Sequence, residues 1–190
     1  KSRIIPVNGL GDDGSGSSSD LALGIIYAAQ NGADVINNSW GCSFCPSNPI
    51  VEDAVRKAYA RGVVVVFAAG NSASDIKYTS PQNMLEPIKV AATDHLAKRA
   101  YFCSTGPLLA VSAPGGGDVP DVRTILSLQA QGTQVGSPLQ VSPGYIRFAG
   151  TSMAAPHVSG LAALVLSLHP NFTLEEVRTI IRNSSVDIGD

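Results

Sequence analysis

The stretch VVVVFAAGNS, residues 63–72, decides how this chain folds. From Val63 to Ala69 it is apolar without a break, and its first four residues are β-branched. A strand with one wet face alternates apolar and polar residues, whereas a strand covered on both faces has no such need. The run therefore predicts a strand of a parallel sheet, buried between two layers of helices. Gly70 ends it, and Asn71 and Ser72 follow. A polar amide thus stands just past a strand's carboxyl end, where open α/β sheets form their sites.

Working outward, residues 50–60 place Val51, Ala54, Val55, Ala58 and Tyr59 at helical spacing, closed by Gly62. Val35 and Ile36 begin another strand, which runs into Asn37, Asn38, Ser39, Trp40 and Gly41. Before it, Ser19 or Asp20 can cap a helix reaching about Asn31, with Leu21, Ile25, Ala28 and Ala29 on one face. Residues 9–19 read as a polar loop and residues 3–7 as a short strand. Downstream, residues 88–92 and 109–112 are strand candidates, and residues 114–144 read as loops and short hairpins. Residues 151–168 form a helix rich in small residues. Thr173 and Glu176 have the spacing of a capping box at the start of a last helix. The alternation argues for an α/β fold with a mostly parallel, doubly wound sheet and helices on both faces.

The totals agree with one globular domain. The 190 residues are 44% hydrophobic and 15% charged, with a net charge of -2, so the chain can bury a core and lacks the basic surface that nucleic acid requires. No apolar run reaches the roughly 20 residues of a bilayer span. Cys42 and Cys45 have C-x-x-C spacing without the further ligands of a zinc site; a local loop disulfide and two unpaired thiols are the readings that remain. The abrupt apolar start after Lys1 predicts a sequence that begins inside a domain.

A second stretch, FAGTSMAAPHVSG at residues 148–160, carries the chemistry. Ser152 lies at the mouth of the long helix, where the helix dipole and free N–H groups favour negative charge. Gly150 permits close approach, and Ala154 and Ala155 allow tight packing. Pro156 is expected to cost little so near the helix start. By pattern alone Ser152 is as readily a helix cap as a nucleophile. Asn71, taken alone, is more readily a turn residue than an oxyanion donor.

Four blocks together settle the weighting. GTSMAAPHVSG resembles the catalytic-serine motif of the subtilisin-like serine proteases, the subtilases. VVVVFAAGNS resembles their oxyanion-asparagine segment, ADVINNSWG the strand whose end pairs with extended substrate, and AVSAPGGG their proline-glycine turn. Order and spacing match over nearly the whole chain. The resemblance implies the C-terminal portion of one subtilase catalytic domain over residues 1–190, and a serine endopeptidase that cleaves polypeptides through an acyl-enzyme. It makes Ser152 the nucleophile and Asn71 the side-chain oxyanion donor. Ser39, Trp40 and Gly41 become a wall for the substrate strand, and Ala68, Ala69 and Gly70 the lining of the pocket for the residue before the scissile bond. Small residues there imply a floor that admits large apolar side chains. Secretion is implied by the family alone.

The family also needs an aspartate and a histidine, both upstream of these blocks. His95, His157 and His169 sit in no such motif, nor do Asp12, Asp13, Asp20 and Asp34. His157 is expected to be packed inward and hydrogen-bonded, and His95 and His169 to be on the surface. The triad is therefore expected to be completed by a missing N-terminal segment or by a second chain, and this chain alone to be inactive. In the family sheet the strand bearing the aspartate lies between those resembling residues 3–7 and 35–38, so a gap is expected there. The alternative is a non-catalytic pseudoprotease that binds extended peptides. No cofactor is expected in this chain; structural calcium belongs to the complete domain, chiefly on residues before Lys1, and the stretch Pro107, Leu108, Leu109, Ala110 offers no carboxylates. Asn-x-Ser/Thr triplets at Asn37, Asn171 and Asn183 carry little weight, and Asn37 is expected to be buried.

Overall fold

A computed structural model describes residues 2–42, 45–117, 123–130 and 139–188. The run that opens the sequence reading forms strand β2 (Val64–Ala68), all five residues of which are buried. It lies between β1 (Val35–Asn38) and β3 (Ile88–Thr93), and β3 in turn pairs with β4 (Val111–Pro114); every pairing is parallel. A separate antiparallel ribbon joins β5 (Ile125–Leu128), β6 (Gln140–Ser142) and β7 (Tyr145–Phe148) in the order β5-β7-β6.

Along β2 the side chains alternate between two cores. Val65 and Phe67 face α1 (Ser18–Gln30) and α2 (Pro49–Ala60), meeting Ile25, Ala28, Val51, Val55 and Ala58. Val64, Val66 and Ala68 face α3 (Thr151–Leu168) and α4 (Leu174–Asn183), meeting Ala154, Ala155, Val158, Val177 and Ile181. Neither face of β2 reaches water, which is why its sequence lacks alternation. Each fully buried Val or Phe contributes about 1.5–3 kcal/mol by removal from water. The doubly wound α/β expectation holds.

Helix starts follow local chemistry. Ser17, two residues before the expected cap, accepts from the Asp20 N–H at 3.1 Å and opens α1. The Asn48 side chain caps α2, while Glu52 Oε1 accepts from the Asn48 N–H at 2.8 Å. That bond, ahead of those from Ser80 and Ser47 and the Arg56 charge, holds the Glu52 carboxyl below its usual range. The Thr173–Glu176 capping box is present as expected.

Three expectations are corrected. Residues 3–7 form no strand: Ile4 is 90% exposed, and a cleft of about 1290 Å³ separates this segment from β1. An extended segment with no neighbour in reach has no ladder to join. Among the described residues the outer edge of β1 has no partner strand, so Asn37, expected to be buried, is exposed beside that cleft. The strand expected at residues 109–112 begins at Val111, where it finds its β3 partner Val90; Leu109 instead turns its N–H onto Gly106 O.

α3, at 18 residues, is long and apolar enough by length and composition to cross a bilayer. Its inner face, Ala154, Ala155, Val158 and Ala162, is packed on the sheet, as in a core helix. Cys42 and Cys45 are joined in a disulfide, which resolves the two readings of their spacing.

Candidate active site

β1 and β2 stay paired up to Asn38 and Phe67, then separate. Beyond their carboxyl ends lies the N-terminus of α3. Thr151 is its first residue and is fully buried. The Thr151 N–H and hydroxyl both donate to Asn71 Oδ1, each at 2.9 Å, and Thr151 Oγ1 accepts from the Gly70 N–H at 3.0 Å. A main-chain N–H can only donate, so the atom facing it is the Asn71 oxygen and the amide NH₂ is turned the other way. That NH₂ lies against Gly150: a Cβ there would stand 3.2 Å from Nδ2, so glycine keeps the approach open.

Ser152 is the next residue. Its hydroxyl donates to Ser39 O at 3.0 Å, and the Ser39 hydroxyl donates back to Ser152 O at 2.8 Å. The second bond has a cause in the sequence. In an α-helix the N–H of residue 156 would donate to the carbonyl of residue 152, but Pro156 has none. Ser39 fills that vacancy. Pro156 is thus not a harmless first-turn proline, as the sequence reading has it, but the reason Ser152 O is free for β1. Ser39 is itself held by Asn37 Nδ2 at 3.0 Å, and Asn37 Oδ1 accepts from the Ser159 hydroxyl at 2.9 Å. At the helix start, Met153 and Ala154 donate to Gly150 O and Thr151 to Asn71, so the Ser152 N–H remains free to donate.

The two walls meet through a residue that the sequence reading missed. Gln82 Nε2 donates to Trp40 O at 3.1 Å and to Ala68 O at 2.9 Å, bridging the separated strand ends. Gln82 is fully buried, as is Ala69, and the Trp40 and Phe67 rings meet edge to face at 5.0 Å between centroids. The expected floor of small residues is therefore incomplete, since an amide side chain occupies the space between them. No local pattern marks Gln82, because its partners lie 42 and 14 residues away. Thr151 had a signal in its place directly before Ser152.

No histidine approaches Ser152. His157 is exposed, with Nδ1 at 2.8 Å from Met153 O; five residues of helix turn it away from Ser152, so it is hydrogen-bonded but not packed inward. His95 contacts Arg123, and His169 stacks on Phe172, both at the surface. Asp20 is engaged at the start of α1, Asp13 bonds Ser15, and Asp12 and Asp34 are exposed. Among the described residues, no group of three or more His, Cys, Asp or Glu is placed to hold a metal ion.

The sequence profile of the subtilase family, peptidase S8, matches residues 1–190. Subtilisin DY of Bacillus licheniformis is 39% identical over 185 residues, covering 95% of this chain and 60% of that protein. A thermophilic serine proteinase of Bacillus sp. strain AK1 is 41% identical over 187 residues, covering 98% of this chain and 41% of that protein. Among solved structures, a protease of Pseudoalteromonas arctica PAMC 21717 superposes with a TM-score of 0.81 at 35% identity, over 90% of this chain and 53% of that one. A cold adapted subtilisin-like serine proteinase gives 0.80 at 30% identity, over 94% and 59%. The chain spans 60% or less of the length of these four proteins. Matched from end to end, it belongs to the subtilase family.

Proposed function

We propose that this chain is the C-terminal part of the catalytic domain of a secreted serine endopeptidase. The observation that carries the reading is the pairing of Ser152, at a helix mouth with its own N–H free, with the fixed amide of Asn71. Ser152 Oγ attacks a peptide carbonyl, and its proton passes to a histidine. The oxyanion accepts from Asn71 Nδ2 and the Ser152 N–H. The amine then leaves with that proton, and water releases the acyl group. Extended substrate pairs alongside Ser39, Trp40 and Gly41 by strand addition.

The histidine and its aspartate come from residues preceding Lys1 or from a second chain. The cleft beside the unpaired edge of β1 has room for that segment, and alone this chain is inactive. Calcium of the complete domain would be held by residues outside this chain.

The second reading, a peptide-binding pseudoprotease, draws on the Ser152 hydroxyl being bonded to a main-chain carbonyl and not to a base. One experiment separates the two. With the preceding segment supplied, a fluorophosphonate should label Ser152, read by peptide mass spectrometry. Labelling elsewhere, or none, refutes the endopeptidase.

A further inference from the structure

The side chain of Gln82 stands where the endopeptidase reading puts the substrate residue before the scissile bond. Parallel neighbours that separate leave carbonyls without N–H partners. At this site those carbonyls are Trp40 O and Ala68 O, and both amide hydrogens of Gln82 go to them. Because both partners can only accept, the amide orientation is fixed. Its Oε1 is buried with no partner. The fit is tight: a Cβ on Gly41 would lie 2.4 Å from Nε2. The turn carrying Gln82 is also held, with the Asn83 N–H on Thr79 O at 2.9 Å and the Met84 N–H on Pro81 O at 3.1 Å.

We propose that Gln82 is the specificity-determining residue of this pocket and restricts it to small side chains such as those of alanine, glycine and serine. The inference rests on the endopeptidase reading and adds its substrate class. The amide bridges the two walls at Trp40 O and Ala68 O, so a long side chain meets it before it can pass between them. A bulky apolar group would also be pressed against a polar oxygen that has no hydrogen bond to offset its burial. Pockets discriminate by fit, and a side chain larger by several methylenes than the space available is strongly disfavoured.

The test uses the full-length protein and the anilides of succinyl-Ala-Ala-Pro-X, with X alanine, leucine or phenylalanine. The native protein should show a kcat/KM for alanine at least about ten-fold above that for phenylalanine. Gln82→Ala should raise the ratio of the phenylalanine to the alanine kcat/KM about ten-fold or more. Gln82→Met keeps the bulk without the amide and should keep the preference for alanine. A native protein that cleaves after phenylalanine as well as after alanine overturns the proposal, and this result needs no variant to fold. An unchanged ratio in Gln82→Ala overturns it too. Cleavage of none of the three by a protein that fluorophosphonate does not label overturns the endopeptidase reading, and the proposal with it.

Discussion

Replacing Thr151 by valine tests whether the Asn71 amide, the proposed oxyanion donor, is held by its neighbour. The two side chains have nearly the same shape, so the change removes a hydroxyl without opening a cavity. Two bonds go with it: the donation to Asn71 Oδ1 and the acceptance from the Gly70 N–H. Thr151 is fully buried, so the Gly70 N–H is left without its partner, at a cost of about 1–3 kcal/mol in folding stability. Asn71 keeps its bond from the Thr151 main chain but loses one of two restraints. A neutral hydrogen bond is worth about 1 kcal/mol net. If that restraint is fully expressed in the transition state, kcat falls about five-fold with KM little changed. Urea denaturation and steady-state kinetics of the full-length protein measure both quantities. Thr151→Ser restores the hydroxyl and should recover most of kcat. Unchanged kcat and unchanged stability in the valine variant, or a raised KM at constant kcat, would refute the reasoning.

Asn71→Ala removes the proposed oxyanion donor and should lower kcat by about 10²–10³, the range for loss of one oxyanion-hole donor; a ten-fold rise in KM at constant kcat would make Asn71 a binding residue. Lys89 gives a pH dependence. It is buried on β3 with Nζ donating to Met84 O at 2.8 Å, and desolvation, ahead of the Arg178 charge and against the attraction of Glu86, lowers its pKa from 10.5 to about 8. Between those values the unfolded chain holds a proton that the folded one has released, so stability rises with pH. Below about 8 the penalty is fully present, and above 10.5 it is gone, a span of about 3 kcal/mol. Lys89→Met should flatten that rise in denaturation curves taken at pH 7 and pH 10.5, and a slope equal to the native one would refute the assignment.

The parts of the fold legible in the sequence are those set by local periodicity. β2 was readable because burial on both faces leaves an unbroken apolar run, and α4 because Thr173 and Glu176 announce its cap. Residues 3–7 have the composition of a strand, but pairing depends on a neighbour, and composition carries no information about one. Ser152 and Asn71 were legible through their motifs, and the structure sets both at the mouth of α3. Gln82 was not, since a bridge between two separating strands is made by atoms far apart in the chain. His157 was misjudged because helix phase, not distance along the sequence, decides which way it points.

Pro156 looks like a defect in α3, and a design that scored only helix propensity would replace it. With alanine there, the restored N–H would compete with the Ser39 hydroxyl for Ser152 O. The helix would gain regularity while the coupling of Ser152 to the edge strand weakened. A proline in this place acts as a registration pin: by withholding one donor it obliges the helix and the sheet to keep a common alignment at Ser152.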